Sequence, residues 1–188
     1  MLLKRSFDIV VSLSALLILT VPMAVIALAV RATSRGPALY WSERVGQNNR
    51  LFFMPKFRTM LKDTPAVATH LLSRPESHLT PIGGFLRETS LDELPQLWSI
   101  LKGDMTLVGP RPALFNQSDL VAARTEMGVH TLVPGLTGWA QVNGRDEVGL
   151  AAKVAYDTEY LLRRSFKFDL QILAMTVIRV VRKTGVAH

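Results

Sequence analysis

Two adjacent carboxylates, Asp92 and Glu93, open the amphipathic stretch TSLDELPQLWSILKGDM (Thr89–Met105) in a chain otherwise rich in arginine. Two chemistries suit such a pair. Acidic residues stabilise the positive end of a helix dipole, and Ser90-x-x-Glu93 has the spacing of a capping box. A carboxylate is also a nucleophile, able to split one difficult transfer into two easier steps. Pro95 constrains the helix. With Ser90 as N-cap it falls at the fifth helical position and loses a hydrogen bond. A helix that starts at Asp92 places Pro95 in the first turn, where it is tolerated. Taken alone, the pair reads as capping.

The pair has company. Arg87 lies five residues before Asp92, and Arg111 nineteen after it. Arg111 stands between Pro110 and Pro112, whose rings fix φ on both sides and leave the guanidinium few places to go. Lys56 and Arg58 close a stretch that reads as a hairpin, and Arg145 ends a glycine-rich segment. Arginine forks match phosphate oxygens. Paired carboxylates offer the hard oxygen ligands through which Mg2+ binds alongside substrate phosphates. Carboxylate, Mg2+ and arginine together describe phosphoryl transfer.

These residues need a scaffold, and 188 residues are enough for one domain with a core of its own. Ile9–Val30 (IVVSLSALLILTVPMAVIALAV) is an uncharged run of 22 residues, long enough as a straight helix to cross a hydrocarbon layer of ~30 Å. At 22 residues the apolar run is too long for the h-region of a cleavable signal. Pro22 is expected to kink or break the helix. The legs, roughly 20 and 12 Å long at helical rise, would each fall short of a crossing. Lys4 and Arg5 precede the run while Arg31 and Arg35 follow it, so positive charge flanks both ends. A helix that enters, bends at Pro22 and returns to the same face fits these facts better than a kinked anchor. Asp8 is expected to pair with Lys4 and Arg5 one turn away, either tidying the interface or fixing charges at lipid-phosphate depth.

Downstream, apolar stretches flank the turn-rich GQNN as a hairpin. Lys62–Pro81, with three prolines, reads as a mobile loop or lid. Leucines and Trp98 recur at helical spacing from Leu91 to Leu101, and Gly103 is a natural stop. MTLV is a short strand, GPRP a stiff turn and Gln117–Val129 a helix. The segment LVPGLTGWAQVNGR is expected to be irregular, with Gly135, Gly138 and Gly144 supplying positive φ. Gln141 and Asn143 there could contact a donor, but turn hydrogen bonding suits each better. Ala151–Arg164 is a helix carrying Tyr156, Asp157 and Tyr160. Phe166–Lys183 is an apolar helix that suits either a membrane interface or a core. The expected fold class is α/β, mainly helical with a small sheet or hairpin and inserted in a membrane. Residues 1–35 would form a re-entrant helix-break-helix, and residues 36–188 a catalytic domain with interfacial amphipathic helices.

Lys+Arg 22 against Asp+Glu 15 gives a net charge of +7, which points to an anionic partner. Without cysteine the chain has no disulfide or thiolate zinc site, and its four histidines lack ligand spacing. A basic protein binding nucleic acid or lipid would spread its cations over one face, with no buried carboxylate pair among them. A membrane-bound hydrolase would use the same carboxylate chemistry with water as acceptor.

KRSFD, ERVGQNNRLFFMPKFRTM, LRETSLDELPQLWSILKGDMTLVGPRP and VPGLTGWAQVNGRD follow one another along nearly the whole chain. Together they resemble the bacterial sugar transferase family, the monotopic phosphoglycosyl transferases, in the small form with the catalytic unit alone. The resemblance implies transfer of a phosphosugar from a UDP-sugar to undecaprenyl phosphate, with release of UMP. The setting implied is the cytoplasmic face of a bacterial inner membrane, at the first membrane step of capsule, lipopolysaccharide, exopolysaccharide or glycoprotein glycan assembly. It makes Asp92 the nucleophile and gives Glu93 metal or proton handling, with Mg2+ between them. It places Lys56, Arg58, Arg87, Arg111 and Arg145 on substrate phosphates, and makes Asp157 a pocket residue beside the candidate donor contacts Gln141 and Asn143. Lys4, Arg5, Asp8 and Pro22 belong to the membrane helix and its lipid headgroups. It mildly favours an N-acetylated amino sugar or a deoxy relative as donor. The partners implied include membrane lipids and no nucleic acid, with room for a homodimer. One departure concerns the break, often Ser-Pro in the family and Val21-Pro22 here, so a hydroxyl for the freed carbonyl must come from Thr20.

Overall fold

The structure is a computed structural model that describes residues 2–65, 67, 74–144 and 149–182. Its first element is helix α1 (Leu2–Thr33), which runs through Pro22 without the expected break. The proline forfeits one backbone bond, to the Ile18 carbonyl. Thr20 does not repair it, since its hydroxyl donates to the Leu16 carbonyl at 2.7 Å. Packing along the whole helix offsets the loss. Phe7, Val11, Ala15, Leu16 and Leu19 lie on one apolar cluster, and Met23, Ile26, Ala27 and Val30 on a second. These positions recur every three or four residues, so a single stripe is covered from end to end. Val10, Leu13, Leu17, Ile18, Val21, Val25 and Leu28 stay exposed on the rest of the surface.

The charges at the start of α1 face inward. Lys4 donates to Asp169 at 2.7 Å and to the Val108 carbonyl at 3.0 Å. Arg5 caps the end of another helix through the Ile100 and Leu101 carbonyls, at 2.7 and 2.9 Å. Asp8, only 2 % exposed, accepts from Thr106 Oγ1 at 2.5 Å and the Leu107 amide at 3.3 Å. The expected pairing of Asp8 with Lys4 and Arg5 therefore gives way to a docking contact. A carboxylate buried against a strand takes the hydroxyl and amide offered there, and all three charges staple α1 to the domain.

Strands β1 (Leu39–Val45) and β2 (Leu51–Phe57) form the expected hairpin, and β4 (Ala113–Leu114) joins the other edge of β1 in the order β2-β1-β4. Its turn places Asn48 and Asn49 in the left-handed region, which asparagine tolerates. The register pairs Tyr40 with Lys56, Ser42 with Met54 and Arg44 with Phe52. By the two-residue period these six share one face, so Arg44 and Lys56 point the same way.

A second, parallel pair joins β3 (Thr106–Val108) to β5 (Gly135–Thr137), inside the segment expected to be irregular. Gly135 and Gly138 are needed here for close approach and not for positive φ. A Cβ on Gly135 would sit 2.1 Å from the Gly109 nitrogen, and one on Gly138 2.1 Å from the Gly109 carbonyl oxygen. The two loops bearing Arg111 and Trp139 thus interlock backbone to backbone.

Short helices α2 (Gly83–Glu88), α3 (Gln96–Lys102), α4 (Ser118–Glu126) and α5 (Trp139–Asn143) pack around these strands, followed by α6 (Leu150–Arg163) and α7 (Phe166–Arg182). Gly103 ends α3 at φ 99°, as the sequence indicates. The main core gathers Met54, Ile100, Met105, Val108, Tyr160, Phe168 and Ile172. Helix α7 buries Phe168 and Ile172 in the core, one of its two expected placements, while Leu170, Val177 and Ile178 remain exposed. Ala66, Ala68–Ser73 and Arg145 fall outside the described residues. Of the Lys62–Pro81 loop, the described part forms a 3-10 turn at Pro75–His78 and a bridge between Met60 and Leu79.

Candidate active site

The carboxylate pair sits on a single 3-10 turn, Leu91–Glu93, between α2 and α3. The capping box does not form. Ser90 takes φ 58° and makes no side-chain cap bond, and α3 starts only at Gln96, after Pro95. Glu93 is engaged elsewhere: one of its oxygens, Oε1, accepts from Lys56 Nζ at 3.0 Å and from Arg111 Nη2 at 2.6 Å. Left-handed backbone at a non-glycine residue beside paired carboxylates is strain of the kind that collects at functional sites.

The two carboxylates are in opposite situations. Asp92 is buried at 7 % exposure, and no hydrogen bond or ion pair engages it among the described residues. Burial pushes its carboxyl above the ordinary 3.8, against the pull of Lys56 and with Glu93 adding to the rise; Arg111 and Arg87 also act on it. Burial would raise Glu93 too, but the charges of Arg111 and Lys56 and their hydrogen bonds outweigh it and hold that carboxyl well below its usual range. Lys56 is itself lowered by burial, with Glu93 pulling it back up. Environments that separate two neighbouring carboxyls are how a site assigns them different tasks. Glu93 is the fixed anion that positions cations. Asp92 is the desolvated one with its oxygens uncommitted.

Of the cations singled out in the sequence, Lys56, Arg87 and Arg111 gather here. Arg111 keeps 37 % of its side chain exposed. Arg58 does not join them. It is buried, donating to the Pro37 carbonyl at 2.7 Å and the Ser34 carbonyl at 3.1 Å, where it ties the end of α1 to the hairpin. Gln141 and Asn143 make turn bonds, to the Leu136 and Trp139 carbonyls at 3.0 and 2.8 Å. Asp157 is committed to Arg124, whose Nε and Nη2 approach its Oδ2 at 2.9 and 2.5 Å. A carboxylate buried this deeply takes the nearest charged fork. Sequence reasoning missed Arg124, and also Arg44, whose Nη1 donates to the Pro112 carbonyl at 3.2 Å. Hairpin register was the available signal for Arg44, two residues from the inward-facing Ser42. Nothing local marks Arg124, whose partner lies 33 residues away.

Among the described residues no group of three or more His, Asp or Glu side chains could hold a metal. The donor set is the pair itself: Asp92 uncommitted, Glu93 engaged through one oxygen. That fits Mg2+, which binds through one or two carboxylates plus substrate phosphates, and does not fit a metal caged by protein ligands alone.

A family model for bacterial sugar transferase matches residues 1–183. The chain belongs to the bacterial sugar transferase family. This sugar transferase is 39 % identical over 194 residues to undecaprenyl-phosphate glucose phosphotransferase of Komagataeibacter xylinus, covering 96 % of the chain and 36 % of that relative. It is 35 % identical to undecaprenyl-phosphate galactose phosphotransferase of Salmonella typhimurium, covering 97 % of the chain and 41 % of the relative. The uncharacterized sugar transferase EpsL of Bacillus subtilis is of similar size: identity is 37 %, over 99 % of this chain and 91 % of EpsL. The chain thus spans about two fifths or less of the glucose and galactose enzymes, and nearly all of EpsL.

Proposed function

We propose that this sugar transferase moves a phosphosugar from a UDP-sugar to undecaprenyl phosphate through an aspartyl intermediate. The observation that carries the reading is the divided carboxylate pair, with an unpaired, desolvated Asp92 beside a Glu93 that fixes Lys56 and Arg111. A carboxylate oxygen of Asp92 attacks the sugar-bearing phosphorus. The bond from that phosphorus to the bridging oxygen breaks, and the oxygen leaves on UMP. An oxygen of the lipid phosphate then attacks the same phosphorus and displaces the Asp92 carboxylate, giving a lipid-diphosphate sugar and ping-pong kinetics. Lys56, Arg87 and Arg111 offset the charge that develops on the phosphate oxygens. Mg2+, held by Asp92 and Glu93 together with the donor's phosphates, would supply further neutralisation of that charge.

The placement of α1 supports a monotopic arrangement at the cytoplasmic face of the inner membrane. Lys4, Arg5 and Asp8 at one end and Val30 at the other are held by the same domain. A helix crossing the bilayer would carry one of those ends away from it. The open apolar side of α1 then faces lipid, with the reaction at headgroup depth. That position favours a lipid phosphate over water as acceptor. The inward-directed cations, committed to carboxylates and carbonyls, are also unlike the open basic face that nucleic-acid binding requires.

The test is intact-protein mass spectrometry with Mg2+ and no lipid acceptor. Its donor panel takes UDP-glucose and UDP-galactose, the sugars in the relatives' names, with N-acetylated and deoxy amino sugars. The expected result is one added phosphosugar on the Asp92 peptide, absent in Asp92→Asn and discharged by undecaprenyl phosphate. UMP release without adduct, and only with lipid present, would replace the covalent route by direct displacement. Continuing UMP release without lipid, beyond one equivalent per enzyme and with no adduct retained, would make the protein a hydrolase.

A further inference from the structure

Arg111 works from a backbone that has few means of holding itself, because the flanking prolines carry no N–H. All three of its segment's carbonyls are held from outside. The Gly135 amide donates to the Pro110 carbonyl at 2.9 Å, Arg124 Nη1 to the Arg111 carbonyl at 2.8 Å and Arg44 Nη1 to the Pro112 carbonyl at 3.2 Å. Arg124 is the deeper clamp. It comes from α4 at 8 % exposure, and its other edge is fixed by Asp157 of α6 at 1 % exposure.

We propose that the buried Arg124–Asp157 pair is a positioning device for catalysis: it fixes the backbone from which Arg111 reaches Glu93 and the substrate phosphates, and touches no substrate itself. The inference rests on the phosphotransfer reading of Arg111. A buried ion pair is seldom retained for stability, since well-packed apolar residues of similar volume often serve as well or better. The geometry asks for arginine in particular. One edge of the fork, Nε and Nη2, faces Asp157 while Nη1 faces the Arg111 carbonyl, and the single ammonium of a lysine cannot span both.

The experiment compares wild type, Arg124→Lys, the double variant Arg124→Met/Asp157→Leu, Arg111→Ala and the triple combination. Each is measured for unfolding temperature, affinity for inorganic pyrophosphate with Mg2+, and turnover. The double variant should unfold at or above the wild-type temperature, yet lose about 10²-fold in kcat, the scale of a misplaced catalytic group. Its pyrophosphate affinity should fall as far as that of Arg111→Ala. With Arg111 already replaced, changing the pair should cost nothing further, because coupled residues are not additive. Arg124→Lys should keep the fold without rescuing turnover. Losses that add to those of Arg111→Ala, or full activity in Arg124→Lys, would overturn the proposal. So would wild type that fails to bind pyrophosphate. Wild type that binds pyrophosphate but transfers from no donor sinks the phosphotransfer reading instead, while the pyrophosphate cycle still decides whether the pair acts through Arg111.

Discussion

Two buried charge clusters in this molecule use the same residue types to opposite ends. At the foot of α1, Asp169 accepts from Lys4 on one oxygen and from Tyr160, at 2.7 Å, on the other, while Asp8 takes a hydroxyl and an amide. Each of these carboxylates has a partner on both oxygens. On the Leu91–Glu93 turn, Glu93 takes two cations on a single oxygen, while Asp92 is buried without a bond of its own among the described residues. Burial with partners builds a staple. Burial without them leaves a carboxylate whose desolvation nearby cations offset only in part, with its oxygens open to a ligand.

The sharpest way to break this contrast is Asp92→Asn. Turnover should fall at least ~10³-fold, because the proposed nucleophile is lost. Stability should move the other way. Burial holds the folded carboxyl above its unfolded 3.8, so the folded state binds the extra proton between those two values. Stability therefore falls as pH rises through that window, and above it the full cost of the buried anion persists. Asparagine removes that cost, so calorimetry at pH 8 should show the variant unfolding ~2–4 °C higher. A lower temperature would mean that Asp92 has a stabilising partner after all, and the contrast would fail.

Arg111→Ala comes next. It leaves Glu93 with Lys56 alone and strips a part-exposed guanidinium from the proposed phosphate site. Steady-state kinetics should show a loss of ~10²-fold, the usual scale for one preorganised charge contact. A change of less than a few-fold would place Arg111 outside the site.

The staple should respond in the opposite pattern. Asp8→Ala leaves the Thr106 hydroxyl and Leu107 amide buried without an acceptor, at ~1–3 kcal/mol each. Urea denaturation in detergent should show that loss, while turnover per folded molecule stays within about twofold. A collapse of turnover at unchanged stability would make the foot of α1 part of the active site.

What the sequence makes legible follows from this division. Local rules find the hairpin at GQNN, the stop at Gly103 and the helix carrying Asp157, because turn residues and periodicity act over a few positions. The carboxylate pair and Arg111 stand out because their residue types are unusual for their context. Partner choice is another matter. Asp8 passes over Lys4 and Arg5 for a strand 98 residues away, and Asp157 takes Arg124, 33 residues from it. Helix spacing shows which neighbours are available but not which face will be buried, and burial decides which partners a charge must find. Pro22 teaches the same lesson from the backbone. Its local penalty is real, but contacts along all of α1 outweigh it, and the helix continues.

The smallest expected effect tests whether the pair is divided electrostatically, as its geometry implies. Lys56 is the strongest charge restraining the rise of the Asp92 carboxyl, ahead of Arg111 and Arg87. The proposed nucleophile must be ionised, so the rate should fall on the acid side through a value above that of an exposed aspartate. Removing a neighbouring cation makes the carboxylate anion harder to form and raises its pKa. Lys56→Met should therefore shift the acid limb of the kcat/KM–pH profile, which reports the free enzyme, to higher pH, whatever it does to the maximal rate. Asp8→Ala should leave the limb in place, since that residue's contacts lie with β3 and not with the turn bearing Asp92. If Lys56→Met lowers the rate but leaves the limb where it was, then Lys56 serves the substrate phosphates alone, and the titrating group that limits the reaction is not Asp92.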